Sequence, residues 1–146
     1  MNVPVWTTGQ IGGALSFDGF NDYVKVGTTN MSAQSGSFSA WARASAFSND
    51  TQYIFGHTTQ PVFTNRIQIY VDGTDGNLDI GLGDNHASAP SVQQLIPGQW
   101  YHVVLTWNVS TYTVYVNGAI KATGSYFDLS TLRDYAHLGG VGDDAG

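Results

Sequence analysis

The sequence predicts an all-β fold in which two antiparallel sheets pack as a sandwich, and three observations support this prediction. All 11 acidic residues are Asp and none is Glu; Asp favours turns, whereas Glu favours helices. The chain has 18 Gly and 8 Tyr, which suit tight turns and strands. Short apolar runs alternate with turn residues, and no stretch keeps the helical period for more than about two turns.

The first half of the chain contains six strand-like segments separated by turns. In the third segment, Phe38, Ala40 and Ala42 alternate with larger or polar residues, which predicts one buried face. A dense turn at Asp72–Asn77 follows the fifth segment. The predicted strands are Ala14–Phe17, Tyr23–Val26, Ser37–Ala44, Tyr53–Gly56, Arg66–Val71 and Leu78–Leu82.

The second half contains the longest apolar run, Trp100–Trp107, and the strongest turn signal. Thr111–Val116 leads into Asn117 and Gly118, a pair typical of tight hairpins. The return strand is predicted at Ile120–Thr123, and a last short strand at His137–Gly139. About ten strands without an internal repeat or a linker predict a single domain over residues 1–146.

Charge and composition exclude several classes of function. The net charge is −6, and the five basic residues are scattered, whereas nucleic-acid binding needs a basic stripe. The chain has no Cys, so it forms no disulfide and no thiolate metal site. It has no apolar run long enough to span a membrane, and its N-terminus does not have the pattern of a signal peptide.

Four segments in this order resemble the laminin-G-like, concanavalin-A-like jelly-roll superfamily in its bacterial form. They are GGALSFDGFNDYVKV at 12–26, SFSAWARAS at 37–45, GQWYHVVLTWN at 98–108 and YTVYVNGAIKAT at 112–123. The resemblance implies a jelly roll of two curved antiparallel sheets. It also implies frequent service as a sugar-binding or adhesion module in larger secreted proteins. On this basis we expect an extracellular or cell-surface location, with any signal peptide outside this chain.

The resemblance also implies a closing strand of the pattern F-x-G-x-I-D-x-V-x-I-Y, which pairs near the first strand. This chain ends at LGGVGDDAG, where that strand would begin. Three alternatives follow: the sequence is cut short, a partner chain supplies the strand, or Val3–Thr7 fills the gap. An open sheet edge favours self-association or pairing with a partner strand.

The acidic residues argue against catalysis. Hydrolases of the resembling superfamily use a close Glu-x-Asp-x-x-Glu set, and this chain has no Glu. Asp72, Asp75 and Asp79 lie close together in sequence, but the first two lie in a turn, where Asp usually serves the backbone. The four His residues form no local metal-binding pair. We therefore expect a binding domain and not an enzyme.

Strand alternation predicts which aromatic residues avoid the core and are available to a ligand. Sugars are bound by aromatic planes together with planar polar groups. We expect the ligand-binding set to share the concave face of one sheet, although a packing role is favoured over a ligand role for Trp41 and Tyr115. The predicted set is Trp41, Arg66, Tyr70, His102, Tyr115 and Asn117.

A second predicted site lies in the loops at the rim of the sandwich, where exposed aromatic and polar residues suit sugar hydroxyls. By contrast, Trp6, Trp100 and Trp107 are predicted in the core or at its edge. The rim candidates are Tyr53, His57, Asp84, Asn85, His86, Tyr126, Asp134 and Tyr135.

Calcium is the one cofactor that the sequence suggests, because Ca²⁺ prefers carboxylate, amide and carbonyl oxygens. Asp18 and Asp22 resemble positions that contribute to a structural calcium site in relatives, and a usual partner Asp lies in the closing strand. Turn formation is an alternative explanation for these residues. Two further Asp-rich clusters are Asp72/Asp75/Asn77/Asp79 and Asp143/Asp144.

The function that the sequence predicts best is a non-catalytic carbohydrate-binding module. The alternative is a structural or adhesion domain that binds a protein partner or a second copy through an open sheet edge. Oligomeric state separates the two hypotheses.

Overall fold

The computed structural model describes residues 3–59 and 62–141, without the side chains of residues 85–87. Twelve strands and no helix occupy this part of the chain. It contains no helix long and apolar enough to cross a membrane. The strands are β1 Val5–Thr8, β2 Gly13–Ser16, β3 Val24–Gly27, β4 Ser35–Ala42, β5 Gln52–Thr59, β6 Thr64–Val71, β7 Asn77–Gly83, β8 Asn85–Gln94, β9 Tyr101–Asn108, β10 Thr111–Val116, β11 Ala119–Ser125 and β12 Tyr135–Leu138.

The strands form two large antiparallel sheets and one small hairpin. The four-stranded sheet has the order β11-β10-β9-β4, and the six-stranded sheet has the order β3-β12-β5-β6-β7-β8. β1 and β2 pair only with each other. The prediction of an all-β antiparallel sandwich is therefore confirmed.

The core lies between the two large sheets. Ile67, Ile69 and Leu82 of the six-stranded sheet are fully buried, as are Leu105 and Val114 of the four-stranded sheet. Burying each such side chain contributes about 1.5–3 kcal/mol. Because successive residues of a strand point to opposite faces, this buried set also determines which side chains point outward.

The alternation rule placed most strands within two or three residues of their observed ends, and β10 at its observed bounds. It missed β8, whose residues Asn85–Gln94 are mostly polar and include Pro90. β8 is an edge strand, and an edge is where a sheet tolerates Pro. The predicted burial of Trp107 is confirmed, but that of Trp6 is wrong, because Trp6 is 76% exposed on the β1–β2 hairpin.

The sequence predicted an open edge beside the first strand, whereas the edge described here lies at β4. Within residues 3–59 and 62–141, β4 pairs with β9 on one side and has no strand on the other. β1 covers residues Val5–Thr8 and pairs antiparallel with β2, which is the first strand predicted from the sequence, so the alternative in which Val3–Thr7 lies beside that strand agrees with the structure. The inward side chains of β4, including Phe38, are only partly buried.

Chain segments cover the outer face of the six-stranded sheet. A Cβ atom at Gly56 would overlap the backbone of Gly140 and Val141, so only glycine allows this close approach. The Gln68 side chain beside it donates from Nε2 to the Val141 carbonyl at 3.3 Å. This face is consequently buried and polar, whereas the outer face of the four-stranded sheet lies open.

Gly36 on β4 provides a test of core packing. A Cβ atom there would overlap the indole ring of Trp107, which is itself fixed by a hydrogen bond from Nε1 to the Ser32 carbonyl at 3.0 Å. We expect Gly36→Ala to lower the free energy of unfolding by about 1–3 kcal/mol, as overpacking does, measured by urea denaturation. Gly13→Ala is the control: its Cβ lies 3.5 Å from the nearest atom, so a change below about 1 kcal/mol is expected. Equal effects would contradict this packing.

His57 provides a test of pH dependence. Its Nδ1–H donates to the Asn65 carbonyl at 2.8 Å, and its Nε2 accepts from the Arg133 N–H at 2.9 Å. Burial, mainly, lowers the pKa of His57 below its ordinary value of 6.5. The unfolded chain therefore takes up a proton that the folded chain resists, and the free energy of unfolding falls as pH drops below 6.5.

We expect imidazole ¹⁵N–¹H NMR spectra to show His57 as the neutral Nδ1–H form at pH 6. An Nε2–H form, or a His57 pKa above 6.5 in the same titration, would contradict this arrangement. His102, which is only partly buried, is the internal comparison.

Candidate functional site

The open outer face of the four-stranded sheet contains four of the six residues predicted to bind a ligand. Trp41 of β4 lies directly opposite His102 of β9. Their ring centroids are 5.1 Å apart and their planes are tilted by 31°. The indole of Trp41 is 40% exposed, so one aromatic surface is accessible beside a polar ring.

His102 is held in place by neighbours on both sides. Its Nε2 lies 2.8 Å from the hydroxyl of Ser39, and its backbone N–H donates to Oδ1 of Asn117 at 2.9 Å. Asn117 and Gly118 form the predicted hairpin turn, with positive φ angles of 52° and 81°. His102 and Asn117 are therefore held by hydrogen bonds within the protein, beside the more exposed Trp41.

Further rows on this face add aliphatic and hydroxyl groups. The second row runs from Ser39 through Val104 and Tyr115 to Ile120, and Tyr115 is half-buried. The third row carries four hydroxyls, from Ser37, Thr106, Thr113 and Thr123. The four strands of this sheet contain no Asp, no Glu and no Arg. This face thus combines an aromatic surface with neutral hydrogen-bonding groups.

A cation lies at one end of this face. The guanidinium carbon of Arg43 lies 4.9 Å from the ring centroid of Trp100, a distance at which the two attract each other. Arg43 therefore covers one face of Trp100, which is half-buried. Trp41 is left as the more accessible indole near this end of the sheet.

Arg66 and Tyr70 do not belong to this face, and the expectation that all the predicted residues share one sheet face is wrong. Both lie on β6 in the six-stranded sheet. Tyr70 is only 3% exposed, and its ring packs 5.5 Å from that of Tyr53. Burial and the Asp79 carboxylate raise the pKa of Tyr70. Arg66 donates from its guanidinium to the Asp84 carbonyl at 2.6 Å.

Three of the eight rim candidates have structural roles. His57 and Tyr126 are buried, and Tyr53 packs on Tyr70. Asp134 is exposed, as is Asp84. The side chains of Asn85 and His86 lie outside the described residues. The rim residues that remain available to a ligand are therefore fewer than the sequence suggested.

A cluster of aromatic and basic residues was not predicted. Tyr135 of β12 has the Lys25 Nζ 3.4 Å and the Arg133 guanidinium carbon 4.7 Å from its ring centroid. The His137 ring stacks 5.7 Å from that of Tyr135 and lies 4.5 Å from that of Tyr23. β3 and β12 are far apart in sequence but paired in the sheet, so no local pattern signals this cluster. Ser39, by contrast, lies two residues before Trp41, and strand alternation would have identified it.

The residues proposed for calcium are engaged by their own loop. Asp18 Oδ1 accepts from the N–H groups of Phe20, Asn21 and Asp22, and Asp22 Oδ2 accepts from the N–H of Asp18. The hydrogen bonds that the Asp18 carboxylate accepts from backbone N–H groups, first of all from that of Phe20, lower the pKa of Asp18. Calcium needs six to eight oxygens, and this pair supplies at most four, so a site here would need further ligands. In the described part of the chain, no three His, Asp or Glu residues group as metal ligands. Asp143 and Asp144 lie outside that part.

The other Asp residues that lie close together in sequence, Asp72, Asp75 and Asp79, accept hydrogen bonds from backbone N–H groups. Asp72 Oδ1 accepts from the Thr74 N–H at 2.8 Å, and Asp75 Oδ1 accepts from the Asn77 N–H at 2.9 Å. Asp79 is buried and accepts from the Ser91 N–H at 2.7 Å. Each of these three carboxylates therefore stabilises a turn or a strand.

Comparison with solved structures gives the same fold. Domain 4 of an extracellular arabinanase from Geobacillus stearothermophilus, in complex with arabinotriose, is 23% identical over 93% of this chain and 66% of that chain, with a TM-score of 0.69. A heptameric SAP-like pentraxin from Limulus polyphemus is 24% identical over 76% of this chain and 54% of that chain, with a TM-score of 0.54. A Trypanosoma rangeli sialidase is 19% identical over 92% of this chain and 23% of that chain, with a TM-score of 0.67.

The chain spans less than two thirds of the length of each of these three structures. No protein of curated function matches it. The family model Laminin_G_3, described as the concanavalin A-like lectin/glucanases superfamily, matches residues 17–146. With the two-sheet sandwich already described, this match shows that the chain belongs to the laminin-G-type family of the concanavalin A-like lectin/glucanase superfamily.

Proposed function

We propose that this domain is a non-catalytic carbohydrate-binding module that binds a glycan on the outer face of its four-stranded sheet. The observation that carries the proposal is the row Trp41–His102–Asn117, in which an accessible indole lies beside fixed polar groups. An indole stacks on the C–H face of a sugar ring, while amide and imidazole groups meet its hydroxyls.

The proposed binding is weak. A shallow face with one main aromatic anchor buries little surface, so we expect a dissociation constant between about 1 μM and 1 mM. Such modules gain strength when they are tethered to an enzyme or a cell surface. An extracellular or cell-surface location belongs to this proposal.

Two observations support the proposal from outside the site. The chain belongs to a lectin and glucanase superfamily, and the similar arabinanase domain is in complex with arabinotriose. The superfamily name also covers glucanases, and the similar sialidase is itself an enzyme. The absence of Glu from the sequence and the backbone roles of Asp72, Asp75 and Asp79 support a binding role over hydrolysis.

A glycan array that includes arabino-oligosaccharides tests the proposal directly. We expect the wild type to bind at least one glycan class, and Trp41→Ala to weaken that binding about tenfold or more, as the loss of an aromatic stacking surface would. Titration calorimetry on the strongest hit measures the change in affinity.

Trp6→Ala is the matched control, because Trp6 is an equally large and more exposed indole on the separate β1–β2 hairpin. We expect it to bind as the wild type does. Equal losses in the two variants, or no binding by the wild type across the array, would overturn the proposal. The same screen with a chelator tests the calcium prediction: binding lost only in chelator would shift the site to the Asp-rich loops.

A second candidate function is association through the edge of β4, and the composition of that edge favours it. β4 is eight residues long, and its sequence SGSFSAWA contains no charged residue and no Pro. Proteins usually protect an open edge with such residues. An uncharged edge of this length is suited to pair with a strand of a second copy or of a partner protein.

Substituting Ser37→Lys tests this candidate by placing a charge on the β4 edge. If copies pair there, sedimentation should show a wild-type dimer whose dissociation constant rises at least about tenfold in the variant. Thr123→Lys is the control, because Thr123 lies in the same cross-strand row on β11, at the opposite edge. A monomeric wild type, or equal effects of both substitutions, would exclude self-association through β4.

A further inference from the structure

A pocket at the rim of the sandwich lies away from the row Trp41–His102–Asn117. It has a volume of about 350 Å³ and lies between the segment Thr28–Ala33, which joins β3 to β4, and the segment Leu129–Asp134, which precedes β12. It is an open depression on the surface and not an enclosed cavity. None of the residues that line the pocket takes part in the face proposed above.

The lining of this rim pocket is amphipathic. Met31, Ala33 and Leu132 supply apolar surface. Thr29 and Ser130 supply exposed hydroxyls, and Asp134 supplies an exposed carboxylate. Arg133 also lines the pocket, but its guanidinium lies against the Tyr135 ring, so Asp134 is the exposed charge at the pocket. A ligand that fits such a lining has an apolar side, several hydroxyls and no negative charge.

Two polar side chains, of the buried His57 and the partly buried Asn65, hold one wall of the rim pocket in position. Asn65 Oδ1 accepts from the N–H of Ser130 at 2.7 Å and from that of Thr131 at 3.1 Å. His57 Nε2 accepts from the N–H of Arg133 at 2.9 Å. Asn65 also adopts a positive φ of 53°, an uncommon conformation that Asn tolerates better than most residues. The wall is therefore fixed by the body of the six-stranded sheet.

The opposite wall is joined to the first one through Thr28. The Thr28 N–H donates to the Asp134 carbonyl at 3.1 Å, and the Thr28 hydroxyl donates to the Arg133 carbonyl. The Met31 N–H in turn donates to the Thr28 carbonyl at 2.8 Å. Both walls are thus set before a ligand enters, and this lowers the entropic cost of binding.

We infer that this rim pocket is a second binding site, which takes a single uncharged sugar ring. The apolar side of the ring packs on Leu132 and Met31, and its hydroxyls bond to Asp134 and Thr29. Asp134 contributes a charge-assisted hydrogen bond, and Asn65 acts as a positioning residue. Two sites on one domain would bind two parts of a glycan, or two glycans, at once.

NMR titration of the whole chain with neutral methyl glycosides of glucose, galactose, mannose and arabinose tests the inference. At up to roughly 50 mM, which weak single-ring ligands require, the amide signals of Thr29, Leu132 and Asp134 should shift. The same shifts should persist in Trp41→Ala, because that variant alters only the other face. Glucuronate is the charged comparison and should bind more weakly.

Two pairs of variants sharpen the test. Asp134→Ala should weaken binding at the pocket about tenfold, as the loss of one charge-assisted hydrogen bond would, whereas Asp50→Ala, at an exposed loop carboxylate, should not. Asn65→Ala should weaken the pocket but leave binding at Trp41 intact, and Asn65→Asp, which keeps the accepting oxygen, should restore it.

Three results would overturn the inference. They are the absence of any shift at the pocket with every neutral glycoside, equal binding by Asp134→Ala and the wild type, and shifts produced by glucuronate alone. None of them depends on whether Trp41 binds a glycan, so the proposed function and this inference succeed or fail separately.

Discussion

The burial of one row of apolar side chains between the two sheets is the constraint on which the remaining structure depends. Val103, Leu105 and Trp107 alternate along β9 and point into the core. Since a strand alternates its faces, His102 must then point outward. A shift of one residue in register would bury His102 and expose Val103. The candidate ligand face is therefore a consequence of core packing.

The outer faces of the two sheets differ in chemistry because they differ in what covers them. The four-stranded sheet is open and carries indole, imidazole, amide and hydroxyl groups, with no acidic residue in its strands. The six-stranded sheet lies under the backbone of Gly140 and Val141, and its outer face holds Gln68 and Tyr70 away from solvent. An accessible aromatic surface therefore exists on the four-stranded sheet.

Polar side chains of β5 and β6 fix the backbone of the rim loops, and one of them, His57, is fully buried. His57 and Asn65 carry no ligand function of their own in this structure, yet their hydrogen bonds fix the backbone of residues 130–133. A buried imidazole is costly unless both of its nitrogens are bonded, and here both are. The rim backbone is thereby bonded to side chains of β5 and β6. Rigid rim segments of this kind support binding without rearrangement.

The sequence by itself determined the fold class, most strand positions, the Asn117–Gly118 turn and the outward orientation of Trp41, His102 and Tyr115. These features follow from local turn chemistry and from the two-residue period of a strand. Only the tertiary structure decided that Arg66 and Tyr70 belong to the other sheet, that His57 is buried and that the rim pocket exists. Alternation says which side of a strand a residue occupies, but strand order decides which sheet that strand joins. Strand order depends on contacts between distant residues, such as the pairing of β3 with β12, and no local pattern contains that information.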